Sequence, residues 1–321
     1  LVSFISYIFN NNIPHLIVII KIVIPILTLL GFEIYFRRKI FFREKEYLPE
    51  IIQNSNSKII YMFMIVFLIT MMSPFFLDNN YNWLTNKIAI YDYLQYFPLI
   101  FILLLGVLAS NKNRLFILLV FYLSFYLFDL TDTVTFFVLL VLFGIYYLLI
   151  ITIGKGKNNI VLISRTFICI IFFSLILYHF LVIIYLSFIT LDFFDEYNVL
   201  GRRLELMNIF YSNSNIFEFF TPIRISTDYV DKFYHNELAV LISAIGIFGA
   251  SLFYLIFFKR LWHISGYYPQ VAVAASLFSI FAGIVNTINL HPYTFIISSF
   301  IISYYYTISK VQSQSQSQSQ S

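Results

Sequence analysis

The chain has 321 residues, of which 60% are hydrophobic, 21% are aromatic and only 11% are charged. Soluble domains carry about 25% charged residues, so this composition excludes a soluble globular domain and indicates a polytopic membrane protein. The net charge of +4 does not indicate nucleic-acid binding, because the basic residues lie in short segments between apolar runs. The single cysteine, Cys169, excludes a disulfide framework or a thiolate metal site within one chain.

Apolar runs divide the chain into segments that can cross a bilayer, for which a helix needs about 20 residues. We predict nine spans, at residues 13–36, 59–77, 94–110, 115–128, 133–153, 166–190, 238–258, 271–288 and 293–308. Together with their loops they form one predicted transmembrane domain, residues 1–310. Residues 311–321 are dominated by a Ser-Gln repeat, a low-complexity composition that predicts a disordered tail.

The distribution of Lys and Arg predicts how the chain is oriented. The loops after the first, third, fifth and seventh spans hold nearly all the basic charge of the short loops, and Lys310 follows the last span. The short loops on the opposite side hold only Lys87. Because short cytoplasmic loops are enriched in basic residues, we predict that the basic loops and the C-terminus are cytoplasmic. The same orientation places residues 191–237 outside.

Residues 191–237 form the longest polar interval between two predicted spans. They contain four basic residues, Arg202, Arg203, Arg224 and Lys232. Arginine offers a planar fork of donors that fits phosphate oxygens and keeps its charge, so Arg202 and Arg203 point to a lipid pyrophosphate at the membrane surface. The alternative is a solvated helix, in which Arg202 and Glu205 lie three residues apart and form an ion pair on one face.

The polar interval ends in Tyr234-His235-Asn236-Glu237, directly before the seventh predicted span. Histidine titrates near neutral pH, so His235 is a candidate general base. Glu237 is a candidate to orient or activate that histidine, or to act as the base itself. The alternative is a helix start, with Asn236 as the N-cap and Glu237 in the first turn, where an acid suits the helix dipole. That alternative leaves His235 unexplained.

Four further positions receive structural interpretations. Gly246 and Gly249 lie three residues apart in the seventh span, a spacing that lets membrane helices approach closely, and we assign them packing and no chemistry. Arg165 is interpreted as a topogenic charge near the cytoplasmic end of the sixth span. His263 is interpreted as an interface residue.

The order of these motifs resembles the C-terminal part of the O-antigen ligase and polymerase (Wzy-type) superfamily. That family typically has a Gly-Arg pair, a large outer loop, a His-Asn pair before a span and two glycines inside it. In this chain the pattern runs from Gly201-Arg202 through His235-Asn236 to Gly246 and Gly249. The resemblance covers residues 198–255.

The chain departs from the family pattern at three places. Met207 stands near where the family usually has tryptophan. Pro222 is followed by Ile223-Arg224, where the family has a Gly-x-Gly. An earlier Thr-x-Ser-Arg pattern would fall at residues 131–134, and the arginine is absent there. If that arginine normally holds phosphate, either Arg203 or Arg224 replaces it, or the protein is a distant or impaired member of the family.

The resemblance implies a fold and a reaction. The expected fold is all-α, a polytopic integral membrane helical bundle of about nine spans, GT-C-like, with one large outer loop. The implied reaction is a metal-independent glycosyl transfer that uses no cofactor. The implied catalytic residues are Arg202, His235 and Glu237. The implied substrate-binding residues are Arg203, Arg224 and Asn236.

The expected function is polymerisation of oligosaccharide repeat units carried on polyprenyl pyrophosphate, for O-antigen, capsule or exopolysaccharide. The expected location is the bacterial cytoplasmic membrane, with membrane lipid and other polysaccharide export proteins as partners and no nucleic acid. Ligation of the glycan to a lipid anchor is the close alternative. A polysaccharide or lipid transporter would show internal repeats and charged midplane sites, and no repeat is visible here. An acyltransferase would place its histidine on the cytoplasmic side.

Overall fold

The computed structural model describes residues 13–42, 87–110, 134–188, 237–285 and 292–318, together with Ile117 and Tyr122. All the secondary structure in these residues is helical, which confirms the all-α prediction for this part of the chain. The helices are α1 (Ile13–Phe42), α2 (Lys87–Ser110), α3 (Val134–Ile153), α4 (Lys157–Phe188), α5 (Glu237–Ser265), α6 (Pro269–Ser276), α7 (Ala282–Val285) and α8 (Pro292–Gln318). A π-helical turn, Leu277–Phe281, joins α6 to α7.

Three of the described helices contain segments that are long and apolar enough to cross a membrane. These segments are Phe136–Ile153 in α3, Lys157–Leu177 in α4 and Ile245–Ser265 in α5. They support a membrane-embedded protein, as the composition predicts. The predicted spans at 59–77 and 115–128 lie outside the described residues, apart from Ile117 and Tyr122. The total of nine spans therefore stays a prediction.

Helix α3 is apolar on both of its faces. One face is buried, and its residues recur three or four positions apart: Phe136, Leu139, Leu140, Phe143, Tyr146 and Ile150. The other face exposes large apolar side chains: Val138, Val141, Ile145, Leu148 and Ile151. A helix at the surface of a soluble protein carries polar residues on its outer face. An apolar outer face is what a helix between a protein core and lipid requires.

Helix α4 begins earlier than the sequence analysis predicts. The sixth span was placed at 166–190, where the apolar run starts, whereas α4 begins at Lys157. Gly156 adopts a positive φ of 93°, which glycine tolerates and which turns the chain between α3 and α4. The Asn159 side-chain amide then donates to the Lys155 carbonyl at 2.9 Å and secures the first turn. Hydropathy identifies only the apolar part of a helix, so it does not detect the polar first turns of α4.

The chain forms two compact units, and each is described by itself. The first unit falls within Leu1–Thr28, Cys169–Arg260 and Ser279–Ile296. The second falls within Leu29–Ile168, Leu261–Phe278 and Ile297–Ser321. Both contain described and undescribed residues, and every contact reported below joins residues of the same unit.

The core of the second unit depends on small residues and on a few buried hydroxyl groups. Helices α2 and α6 approach so closely that a Cβ added at Gly106 would stand 2.5 Å from the Ala274 Cβ. Helices α1 and α8 are joined by Ser303, whose hydroxyl donates to the Leu29 carbonyl at 2.8 Å. Helices α3 and α4 are joined by the hydroxyls of Tyr146 and Ser164, which are 2.7 Å apart. The glycine, alanine and serine positions in these contacts need short side chains, because dense packing leaves no room for longer ones.

The C-terminal Ser-Gln repeat differs from its prediction. Helix α8 continues through the repeat to Gln318, whereas the sequence analysis expects residues 311–321 to be disordered. Two glutamines four residues apart share one face of the helix. Gln312 donates to the Tyr268 hydroxyl at 3.0 Å, and Gln316 accepts from the Tyr267 hydroxyl at 3.4 Å. Low complexity therefore did not prevent folding here, because the repeat has a tyrosine surface to bind.

Candidate functional site

One of the six predicted site residues lies in the described part of the chain. Glu237 is the first residue of α5. The other five lie outside the described residues, so their roles stay predictions: Arg202, Arg203, Arg224, His235 and Asn236. The predicted outer loop, 191–237, lies outside them as well, except for its last residue.

Glu237 is completely buried, with no exposed surface. The hydroxyl of Tyr254 donates a hydrogen bond to its Oε1 at 3.3 Å. Gly283 of α7 packs against the same carboxyl group, since a Cβ added at Gly283 would stand 3.4 Å from Oε1. Glu237, Tyr254 and Gly283 belong to the first unit, and we refer to these three residues as the Glu237 cluster.

A sharp bend at Gly246 creates the Glu237 cluster. In a straight helix the 17 residues from Glu237 to Tyr254 would span about 25 Å, far more than a glutamate and a tyrosine side chain can bridge. Gly246 interrupts α5 with φ 71° and ψ 171°. This backbone conformation is almost restricted to glycine. The bend brings the first turns of α5 back beside its second half.

The bend corrects two interpretations made from the sequence. The sequence analysis places the seventh span at 238–258, whereas α5 runs from Glu237 to Ser265 and is interrupted at Gly246. Gly246 was assigned to packing, whereas its backbone angles make it a conformational requirement. Gly249 keeps a packing role, because a Cβ there would stand 2.8 Å from the Ile245 side chain.

A buried carboxyl group in an apolar segment is costly when it is charged. Insertion scales place an acid at the centre of a membrane helix at about 2.5 to 3.5 kcal/mol. The Tyr254 hydroxyl offsets part of that cost by donating to the carboxylate. Tyr254 itself lies near the middle of the Ile245–Ser265 segment. The result is a positioned acceptor that can take a proton from a hydroxyl group or hold an imidazole in one tautomer.

Tyr254 and Gly283 are functional candidates that the sequence alone does not identify. Tyr254 is one of 25 tyrosines, and it lies in an apolar run where aromatic residues are common. Nothing in its position signals a partner 17 residues earlier. A usable signal did exist in the glycines, because a glycine inside a membrane helix can mark a bend as well as a packing contact.

A second polar cluster lies in the second unit, where the sequence analysis expected only topogenic and interface residues. The Arg165 guanidinium lies 4.7 Å from the centre of the Trp262 ring, and its Nε donates to the Ser265 hydroxyl at 3.4 Å. The His263 ring packs edge-on against Tyr306, with 5.4 Å between the ring centres. Arg165 therefore has a packing role beyond any effect of its charge on topology.

No group of three or more His, Cys, Asp or Glu side chains is arranged to hold a metal ion among the residues that the structure describes. Comparison of the chain with protein-family models, with curated proteins and with solved structures finds no match.

Proposed function

We propose that this protein polymerises oligosaccharide repeat units that are carried on polyprenyl pyrophosphate, at the outer face of a bacterial cytoplasmic membrane. The observation that carries the proposal is the buried carboxyl group of Glu237, held by Tyr254, at the end of the His235-Asn236-Glu237 motif. His235 precedes Glu237 by two residues, so covalent geometry keeps their Cα atoms within about 7 Å of each other.

In the proposed reaction a hydroxyl group of the acceptor sugar attacks the anomeric carbon of the donor, and the polyprenyl pyrophosphate leaves. His235 takes the proton of the attacking hydroxyl or orients that group. Glu237, whose carboxyl group is buried, fixes the tautomer of His235. Asn236 contributes to binding of the sugar chain.

The arginines of the polar interval bind the pyrophosphate of the donor in the proposed reaction. Arg202 neutralises the charge that develops on the leaving pyrophosphate, as a fixed positive charge aimed at that group. Arg203 and Arg224 bind the remaining phosphate oxygens, since guanidinium groups bind phosphate in bidentate fashion. The apolar helices contact the polyprenyl chain. The acceptor is a second lipid-linked repeat unit.

The orientation in the proposal follows the basic residues near the helix ends. We assign three basic groups to the cytoplasmic side: Lys155 and Lys157 around the start of α4, Lys259 and Arg260 near the end of α5, and Lys310 in α8. The His235-Asn236-Glu237 motif then approaches its substrate from the outer side. A lipid-linked repeat unit on the outer leaflet is the substrate that this orientation requires.

One observation favours a second candidate function, transport of a lipid-linked glycan or another lipid. Transporters use discontinuous membrane helices and charged groups near the bilayer midplane. The bend at Gly246 and the buried Glu237 are features of that kind. The motif His235-Asn236 and the paired arginines before it favour the enzyme, because transport needs no general base.

The test is the length of the surface glycan, separated on a gel, in cells whose chromosomal gene carries Arg202→Ala or His235→Ala. Membrane levels of each variant are measured by immunoblot. Collapse of long chains to a single repeat unit on the anchor is the expected result. Long chains that accumulate on the polyprenyl carrier would instead identify a ligase. Unchanged glycans at normal protein levels would contradict both enzyme assignments and favour transport.

A further inference from the structure

A recess in the second unit has the chemistry of a phosphate site. Its volume is about 280 Å³. It is lined by Lys157, Tyr267, Tyr268, Gln312, Ser315 and Gln316, and we call it the Lys157 recess. Three elements supply these residues: the first turn of α4, the turn between α5 and α6, and the Ser-Gln repeat at the end of α8.

The charge of the lining is positive. Lys157 is the only charged residue among the six that line the recess, and its Nζ lies 5.7 Å from the centre of the Tyr267 ring. An aromatic ring holds an ammonium group over its face without neutralising it. The charge of Lys157 is therefore positioned, and none of the described residues that line the recess is an acid that would cancel it.

The tyrosine and glutamine side chains supply neutral hydrogen-bond donors. The Gln312 amide donates to the Tyr268 hydroxyl at 3.0 Å, which leaves the hydroxyl its own proton to donate. Burial raises the pKa of Tyr268, and the hydrogen bond from Gln312 lowers it by less. The phenol therefore keeps its proton at neutral pH. The Tyr268 ring is fixed by an edge-on contact with Tyr305, 4.9 Å between centres.

The recess lies where two membrane-crossing segments end. The segment Lys157–Leu177 begins at the lysine, and the segment Ile245–Ser265 ends two residues before Tyr267. The ends of membrane-crossing helices lie at the level of the lipid headgroups, where tyrosine and tryptophan are enriched. Basic pockets between membrane helices bind the headgroups of anionic lipids.

We propose that the Lys157 recess binds the phosphate group of an anionic phospholipid. Lys157 supplies the charge, and Tyr268 supplies a fixed donor. The volume accommodates a headgroup, whereas sites for whole drug-sized ligands start at about 300 Å³ and run to about 1,000 Å³. Gln312, Ser315 and Gln316 of the Ser-Gln repeat form one side of the recess. The site is independent of the proposed glycosyl transfer.

The test is a titration of the purified full-length protein with phosphatidylglycerol, in neutral detergent, followed by native mass spectrometry. Phosphatidylcholine is the matched neutral-headgroup lipid. Lys157→Gln removes the charge, and Tyr268→Phe removes only the hydroxyl while keeping the ring contact with Tyr305. Lys155→Gln is the control, because Lys155 is exposed, lies two residues away and does not line the recess.

We expect one saturable phosphatidylglycerol site, weakened about 10-fold by Lys157→Gln and about 10-fold by Tyr268→Phe, since each substitution removes a hydrogen bond to the charged phosphate group. Lys155→Gln should change affinity by less than about 2-fold. An equal loss in Lys155→Gln would overturn the site in favour of diffuse electrostatic attraction. Equal binding of phosphatidylcholine would overturn the assignment of an anionic phospholipid as the ligand. Displacement of the lipid by millimolar inorganic phosphate would overturn the lipid assignment and identify a soluble phosphate as the ligand.

Discussion

The Glu237 cluster in the first unit and the Lys157 recess in the second hold charge in opposite ways. Glu237 is buried, and a backbone conformation available almost only to glycine brings it to its tyrosine. Lys157 is exposed, and it only rests over an aromatic ring at the end of a helix. A charge at a helix end costs little, because it can reach water and headgroups. A buried carboxyl group is expensive when it is charged, so Glu237 is a candidate functional residue that needs its own test.

Gly246→Ala is the substitution that should disrupt the Glu237 cluster most strongly. We expect Gly246→Ala to lower the free energy of unfolding by about 3 kcal/mol, because alanine is strained at φ 71° and ψ 171°. It should also abolish long glycan chains by separating Glu237 from Tyr254. Thermal unfolding in detergent and the glycan gel measure the two effects. Gly31→Ala is the control, since a Cβ at Gly31 in helix α1 meets nothing within 4 Å. Equal behaviour of both variants would contradict the role of the bend.

In the second unit we expect stability to depend on close helix packing, whereas in the first unit it depends on the backbone conformation of Gly246. Gly106→Ala would place its Cβ 2.5 Å from the Ala274 Cβ and 3.0 Å from the Gln270 carbonyl oxygen. We expect a loss of about 2 kcal/mol of unfolding free energy, as for other overpacked cores. Ala274→Gly in the same chain should recover part of the loss, because the contact with the Gln270 carbonyl remains. A strictly additive double variant would show that α2 and α6 do not meet there.

Tyr254→Phe tests whether the hydroxyl group matters to the Glu237 cluster. The ring stays and the donor to Glu237 Oε1 is lost, so a hydrogen bond to a charged group disappears. We expect a loss of about 2 kcal/mol of unfolding free energy and shorter glycan chains. The free energy is measured in detergent and the chain length on the gel. Wild-type stability and wild-type chain length would contradict a role for the Tyr254 hydroxyl in the Glu237 cluster.

Tyr146→Phe in the second unit should have the smallest effect of the four substitutions. It deletes the contact with the Ser164 hydroxyl at 2.7 Å, but Ser164 still donates to the Ile160 carbonyl at 2.7 Å. No buried donor is left without an acceptor, so we expect a loss of about 1 kcal/mol. Tyr147→Phe, one position along the helix, is the control in the same unfolding measurement. A loss of unfolding free energy as large as that of Tyr254→Phe would show that the tyrosine hydroxyls of the two units contribute equally to stability.

Hydropathy predicted where most described helices lie, because a bilayer imposes length and composition together. It placed the apolar run of α3 within one residue of its start, 133 against Val134. It failed at Lys157, since the first turns of α4 are polar. Low complexity was a poor guide at Gln312, since the repeat binds a tyrosine surface that composition does not reveal. The spacing of small residues did not reveal the bend at Gly246, because glycine in a membrane helix serves packing and bending alike.

The candidate site was predictable only in part. Glu237 was chosen for its place beside His235-Asn236, and the structure adds that its carboxyl group is buried. Its partner Tyr254 could not be predicted, because their contact depends on a backbone angle and not on sequence spacing. The arginines remain predictions that rest on the resemblance and on the affinity of guanidinium groups for phosphate.

The most direct test of the central claim compares two buried carboxyl groups, those of Glu237 in α5 and Glu33 in α1. Glu237→Gln and Glu33→Gln make the same substitution at sites that are 0% and 6% exposed. The measurement is surface glycan length on a gel at matched membrane levels. We predict loss of long chains in Glu237→Gln and wild-type chains in Glu33→Gln. Long chains in the Glu237→Gln strain would contradict a catalytic role for the Glu237 cluster.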